Sequence, residues 1–186
     1  MRAYGFRLPV VLTTALAVLA LLFSLQIAYA HDVVLHPLTR ALMEEQGVQS
    51  VTVNRTAEGI AIDVKEGLVP NLQTAYDTLY TTAENVLGSR AFTLNIEGDP
   101  TPALEQEFQD DFNEIVLTGI ATGQYQTMQS SFNAEAKRLN LQDAQVTEGD
   151  TFPLVFVELV SGKSYLYEVI SRQVTQSSKS GTASTG

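Results

Sequence analysis

The chain has 186 residues, with 11 Lys and Arg, 21 Asp and Glu and no cysteine, and because Arg2 and Arg7 precede every acid, residues 31–186 carry 9 − 21 = −12. Nucleic acids and anionic lipid headgroups are bound by Lys and Arg, so this charge argues against both kinds of partner for the part beyond residue 30. The absence of cysteine excludes disulfides, thiolate nucleophiles and zinc–thiolate sites, and fits a bacterial exterior better than a eukaryotic secretory pathway.

Residues 1–30 are predicted to be a signal peptide or a transmembrane anchor. Arg2 and Arg7 precede an uncharged, mostly apolar run over residues 8–30. As a helix this run is about 34 Å long, enough to cross a hydrocarbon core of about 30 Å. The arginines would stay inside, which predicts a single-pass protein of the cell membrane with its C-terminal domain outside. Ala28 and Ala30 fit the signal-peptidase pattern, so the alternative is secretion after cleavage following Ala30.

Alternating and helical patterns then predict five elements in the first half of the exported part. Residues 31–37 are predicted to be a linker, and the next segment is predicted to be helical up to Gly47. Two β-branched stretches separated by a short polar segment predict a hairpin, and a long one-sided apolar pattern ends at Gly88. The predicted elements are a helix over 38–47, strands over 48–53 and 59–64, a helix over 72–87 and a strand over 91–96.

The second half is predicted to contain two helices and a hairpin. Thr101 and Pro102 open a helix with an apolar stripe through residues 104–120, and a second helix follows over 125–139, so that the pair is a bent helix or a helical hairpin. Residues 141–150 read as a polar connector. Residues 152–159 and 164–170 read as strands that are apolar on both faces and therefore need cover on both sides. We expect this hairpin to complete the sheet begun by residues 48–64 and 91–96, and residues 173–186 to be a disordered tail.

The fold class is therefore α+β, with one extracytoplasmic domain over residues 38–172, a largely antiparallel sheet and the order α-β-β-α-β-α-α-β-β. The helix–strand–strand–helix–strand order of residues 38–96 is similar in topology to ring-building domains of secretion and sporulation complexes and to BON domains. This similarity concerns the order of elements alone, without shared motif residues.

Two groups of residues are candidates for a metal or catalytic site. His31, as an N-terminus after cleavage, could chelate copper with His36, but a solvated linker is the favoured interpretation because a distant third ligand is missing. Paired carboxylates can hydrolyse glycosides or hold a hard cation, but a solvated helix face accounts for most of the acids in the densest group. That group is Asp99, Glu105, Asp110, Asp111 and Glu114.

Five tyrosines could line a pocket, but packing in the core or on the sheet is the favoured interpretation. They are Tyr76, Tyr80, Tyr125, Tyr165 and Tyr167. No serine lies in a nucleophile motif, and no glycine-rich phosphate loop occurs in the sequence.

The sequence thus predicts a non-catalytic, membrane-anchored or exported interaction and assembly domain. We predict no catalytic residue, no metal ligand and no cofactor. A binding protein is therefore the favoured interpretation over an enzyme. The expected partner is another protein or a second copy, with the membrane contacted through the N-terminal helix only and no nucleic acid. The alternative is an exported domain that binds a small ligand or a metal, and the third possibility is a carboxylate-dependent hydrolase.

Overall fold

A computed structural model describes residues 35–172 and three earlier positions, Leu16, Val18 and Leu19, which are helical and exposed. The predicted leader as a whole, most of the linker and the tail over 173–186 lie outside the described residues. In the part of the chain that is described, no helix has both the length and the apolar character needed to cross a bilayer.

The described region contains helices and strands in mixed order, which confirms the predicted α+β class. The helices are α1 (His36–Met43), α2 (Leu72–Leu87), α3 (Pro102–Glu107), α4 (Asn113–Thr122) and α5 (Tyr125–Arg138), with a π-helical turn at Phe108–Phe112 between α3 and α4. The strands are β1 (Val48–Arg55), β2 (Ile60–Glu66), β3 (Phe92–Glu97), β4 (Asp143–Glu148), β5 (Leu154–Ser161) and β6 (Ser164–Ser171).

The first three strands form sheet A, in the order β1-β2-β3. β1 and β2 are an antiparallel hairpin, as predicted, and β3 runs parallel to β2 because α2 carries the chain back across the sheet. Asn71 begins α2 by accepting a hydrogen bond from Thr74 N–H at 2.8 Å. One face of sheet A is buried against α1 and α2, and the opposite face carries polar residues such as Thr52 and Asp63.

The last three strands form sheet B, antiparallel in the order β4-β5-β6. β4 corrects the sequence prediction, which placed a polar connector over residues 141–150. Its residues alternate, with Ala144 and Val146 facing a core while Asp143 and Gln145 do not. Because the strand is held by its ladder with β5 over residues 155–160 more than by burial of its own side chains, its composition carries little strand signal.

The strands of the two sheets are joined by one β-bridge. Asp99, just beyond β3, exchanges backbone hydrogen bonds with Tyr165 of β6 at 2.9 and 3.4 Å. The predicted single sheet, in which the hairpin joins residues 48–64 and 91–96, is therefore wrong in detail. The hairpin pairs with β4 in a second sheet, and the sheet edges at β3 and β6 touch through this single bridge.

Two apolar cores lie on opposite faces of sheet B. Core 1 packs the inner faces of α1, α2 and sheet A against Phe156, Val160 and the two tyrosines of β6. Core 2 packs helices α3–α5 against Val155, Val157 and Leu159. Successive residues of β5 point to opposite faces, so this strand contributes to both cores. The predicted need for cover on both sides of the hairpin is confirmed.

The π-helical turn explains how one helical segment keeps a straight apolar stripe. The buried residues of this segment, which runs from α3 through the turn into α4, recur at every fourth position: Leu104, Phe108, Phe112, Val116 and Ile120. In a regular α-helix each step of four residues advances by about 40°, so five such residues would spread over about 160°. A π-helical turn takes up one extra residue, which returns the later part of the stripe by about 100° to the face that meets sheet B.

Helices α4 and α5 form the predicted helical hairpin rather than a bent helix. Gly123 ends α4 with a left-handed φ of 67°. Gly119 lies against Met128 so closely that a side chain at this position would overlap that of Met128. The two glycines therefore serve the turn and the close approach of the helices.

We predict that a protein spanning residues 32–172 folds without the leader, because the described residues by themselves supply two apolar cores, one on each face of sheet B. It should be soluble, melt cooperatively and give a circular dichroism spectrum with mixed helix and strand signal. If it stays unfolded while the full chain in detergent is folded, the domain boundary is wrong.

Candidate functional site

Two tyrosine hydroxyls of β6 fasten the chain that leaves β2. Tyr165 donates to the carbonyl of Glu66 at 3.2 Å and accepts from Gln49 Nε2 at 3.4 Å. Tyr167 donates to the carbonyl of Gly67 at 3.1 Å and accepts from the N–H of Val69 at 2.9 Å. The segment 66–69 is thereby held between the two sheets by side chains of β6.

The carboxyl of Glu66 lies beside these contacts and is 1% exposed. Its Oε2 is buried without a hydrogen-bond partner among the described residues. Burial, and secondarily the nearby Glu45 carboxylate, raises the pKa of Glu66 to about 7. An uncompensated carboxylate is costly to bury, so the site holds the proton on this group up to neutral pH.

A second carboxyl, Glu158 in β5, is buried on the same side of sheet B. It stands opposite Tyr167 on one neighbouring strand and Gln145 on the other. Burial first, and Asp143 second, raises the pKa of Glu158 to about 7. Burial also raises the pKa of the Tyr167 hydroxyl, with further contributions from Glu158 and Glu66, so the tyrosine is influenced by both carboxyls.

A cleft of about 550 Å³ opens beside Glu66, and we call it the α1–α2 cleft. It lies between the loop after α1, the segment after β2 and the first two turns of α2. Its apolar wall consists of Leu68, Val69, Pro70, Ala75 and Leu79. Glu45 lines the same cleft, and its Oε1 accepts a hydrogen bond from Thr82 Oγ1 at 2.7 Å.

Gly47 lines the α1–α2 cleft and lies directly over the Glu66 carboxyl. Its φ of 102° is in the left-handed region, which favours glycine. A Cβ at this position would overlap Oε1 of Glu66 and come within 3.4 Å of Val69 Cγ1. Since Gly47 itself is exposed, the Glu66 carboxyl lies only one residue beneath the surface of the cleft.

β1 forms one edge of the fold, and within residues 35–172 it has a strand neighbour on one side only. Thr56 N–H donates to Gly59 in the turn, and Ile60 N–H donates to Ala91, away from β1. In an antiparallel pair, the β1 residue opposite Ile60 then also directs its backbone groups away from β2. These directions alternate along a strand, and Val51 and Val53 each lie an even number of residues from that position. Their N–H and C=O groups therefore point outward from the sheet.

The acids singled out from the sequence do not converge on a site. Asp99 pairs with Lys65 Nζ at 2.7 Å and Asp111 with Arg138 Nη2 at 2.8 Å. Glu105, Asp110 and Glu114 are exposed on the helical segment, as the solvated-face interpretation predicts. In the described part of the chain, no group of three acidic or histidine side chains is placed to hold a metal ion.

The structure places one of the two histidines and all five of the tyrosines that the sequence singled out. His36 lies exposed in the first turn of α1, whereas His31 is outside the described residues. Tyr76 and Tyr80 stack at 6.1 Å between ring centroids within core 1, and Arg172 lies 6.0 Å from the ring centroid of Tyr125. Tyr165 and Tyr167 pack in core 1 and hold the segment after β2 with their hydroxyls, so packing is the main role of these side chains.

Sequence reasoning missed the two buried carboxyls, although a signal was present. Glu66 continues the alternation of Ile60, Ile62 and Val64 on the buried face of β2. Glu158 occupies an apolar position of β5. An acid at a core position of an alternating strand is the sequence signature of such a group.

Comparison with protein-family models, with curated proteins and with solved structures finds no match to this chain.

Proposed function

We propose that this protein is a non-catalytic interaction domain, held outside the membrane by its leader or released from it, that binds an extended segment of a partner protein along β1. The observation that carries the proposal is the outer edge of β1, where outward-pointing backbone groups of Val51 and Val53 have no strand beside them within residues 35–172. An added strand would satisfy these groups by main-chain hydrogen bonds.

Other features of β1 favour its use as a docking edge. Edge strands are normally protected by shortness, proline or charged side chains. β1 has eight residues, and positions 48–54 contain neither a proline nor a charge. A bulge is present only at its start, between Val48 and Ser50. β4, the opposite edge, is shorter and carries Asp143 and Glu148, so it is the better protected of the two edges.

Charge favours a basic partner segment over a second copy. Residues 35–172 contain eight Lys and Arg and 20 Asp and Glu, which gives 8 − 20 = −12. Long-range attraction would speed the encounter with a basic segment, whereas two copies repel one another.

The proposal predicts that a photo-crosslinking residue placed at Thr52, an exposed position of β1, forms one discrete adduct with a basic protein in cells that produce the full chain. Val53→Pro removes an outward N–H without removing a β1–β2 hydrogen bond, and should abolish the adduct. Val53→Ala shortens the same side chain but keeps the N–H, and should retain it. The measurement is the adduct yield on a denaturing gel, with the adduct identified by mass spectrometry.

Equal adduct yields in the proline and alanine variants would refute strand addition, provided that both melt cooperatively. An adduct of twice the mass of the chain would replace the basic partner with a second copy. The absence of any adduct at Thr52, with adducts at a position on α5 instead, would move the docking surface away from β1.

A further inference from the structure

We infer that the segment that adds to β1 has apolar side chains at alternate positions, which pack against Met43 of α1, and a lysine or arginine between them, which pairs with Asp63. This inference rests on the proposed addition of a strand to β1, and it names the sequence pattern that this edge selects. Met43 and Asp63 lie on opposite faces of sheet A, so each face of the added strand has its own requirement.

The pleat of the sheet fixes which face each residue of an added strand presents. Residues directly opposite one another in neighbouring strands point to the same face. Val51 and Val53 pack against core 1, so the partner residues opposite them face the helices. Thr52 is exposed on the outer face, which it shares with Asp63, so the partner residue opposite Thr52 faces outward.

One side of α1 faces the free edge of β1. α1 contacts β1 and α2, and α2 also contacts β5, so α2 lies between α1 and sheet B. The N–H groups of Glu44 and Glu45 bond to carbonyls of α1 and continue its helical path. Glu45 is directed to α2, because it accepts a hydrogen bond from Thr82. At about 100° per residue, Met43 is about 200° from Glu45 around the helix, on the side away from α2 and towards the free edge.

The side chain of Met43 is an apolar surface that the described fold leaves partly uncovered. It is 45% exposed, and Thr39, one turn earlier on the same side of α1, is half-buried. An apolar partner residue opposite Val51 or Val53 would cover Met43 and extend core 1 beyond the edge of sheet A. Because a methionine side chain adapts to neighbours of different shape, the edge selects apolar character at these positions more than one residue type.

The outer face offers a carboxylate next to β1. Asp63 stands opposite Thr52 in β1 and Asn95 in β3. Lys65, the next residue of β2 on this face, is already paired with Asp99 at 2.7 Å. Among residues 35–172, no basic side chain forms an ion pair with Asp63. A partner residue opposite Thr52 would be two strand spacings from Asp63, about 10 Å between Cα atoms, and a lysine or arginine spans this distance across the short threonine side chain.

The test is fluorescence anisotropy of a labelled nine-residue peptide with the full chain in mild detergent. Valine alternates with serine in this peptide, and its central residue is lysine. We expect saturable binding of the lysine peptide and at least fivefold weaker binding of a peptide with glutamate in the centre. A peptide with serine in place of every valine should not bind.

Variants on the outer face test the ion pair. Asp63→Asn should weaken binding of the lysine peptide about fivefold, the upper end of the effect of an exposed ion pair. Glu97→Gln is the matched control, because it removes the same charge from the same face of sheet A but on β3, away from β1, and it should leave binding unchanged. Asp63→Lys should reverse the preference, so that the glutamate peptide binds more tightly than the lysine peptide.

Variants of exposed apolar side chains test the contact with α1. Met43→Ser should weaken binding of the lysine peptide at least fivefold, because the inward-facing valines lose their apolar neighbour. Leu117→Ser is the matched control, since Leu117 is 49% exposed on α4, which does not contact sheet A, and it should leave binding unchanged.

The failure of this inference differs from the failure of strand addition. Equal effects within either pair of variants, in proteins that melt as the parent does, would overturn the corresponding half of the pattern, and strand addition would stand if Val53→Pro still abolishes binding. No saturable binding of the lysine peptide at millimolar concentration, or equal binding by the Val53→Pro and Val53→Ala variants, would refute strand addition and this inference with it.

Discussion

Deletion of residues 150–172 is expected to unfold the remaining described region as a whole. The deletion removes β5 and β6, which contribute Phe156 and Val160 to core 1 and Val155, Val157 and Leu159 to core 2. Full burial of each such side chain stabilises by about 1.5–3 kcal/mol, so the loss is on the order of 10 kcal/mol. This is comparable to the whole stability of a typical domain. Thermal melting followed by circular dichroism would show no cooperative transition.

The matched control is deletion of residues 173–186, which follow β6 and are predicted to be a disordered tail, and this deletion should leave the melting temperature unchanged. Amide hydrogen exchange gives the sharper measurement, because β1–β3 keep their own ladder in the shortened chain. If these amides stay protected and the protein melts at the parental temperature, sheet B with its helices is an independent unit.

Raising the pH from 5.5 to 8 is expected to lower the free energy of unfolding by about 2 kcal/mol for each of Glu66 and Glu158. In the folded state both carboxyls have a pKa of about 7, compared with an ordinary value of 4.5. The folded state therefore binds these protons more tightly than the unfolded state does. The stabilisation is complete below pH 4.5 and is lost as the pH rises through 7. Urea denaturation at several pH values measures it.

Glutamine substitutions separate the two contributions. Glu66→Gln and Glu158→Gln each remove one titration, so each variant should lose part of the pH dependence and be more stable than the parent at pH 8. The charged group that acts on Glu66 is Glu45, and the one that acts on Glu158 is Asp143, so both neighbours are acidic and reinforce this trend. A parent protein whose unfolding free energy is the same at pH 5.5 and pH 8 would contradict the assignment of both groups.

The elements that the sequence predicted well are those whose side chains repeat with a clear period. α2 was predicted over residues 72–87 and occupies the same residues, because its apolar face recurs with helical spacing between Asn71 and Gly88. β2 and β6 alternate or are continuously apolar, and their predicted bounds are within two residues of the observed ones.

The elements that the sequence did not predict depend on distant partners. β4 is a strand because β5 lies beside it, and its own composition is mostly polar. The sheets are separate because β3 and β6 are joined by a single bridge, between Asp99 and Tyr165, instead of a ladder, and no local pattern encodes this difference. The α1–α2 cleft likewise arises where three separate segments meet, so the residues that line it could not be assigned to one site from the sequence alone.

The π-helical turn at Phe108–Phe112 also decides which changes of chain length this segment could accommodate. Loss of one residue within the turn would leave a regular α-helix and keep Val116 and Ile120 on the face that meets sheet B, because the turn takes up one residue, or about 100°. Gain of a further residue is not taken up in this way and would rotate α4 by about 100° away from sheet B. In the history of this protein, a shorter helical segment without the turn would therefore keep the same packing, whereas a longer one would be selected against.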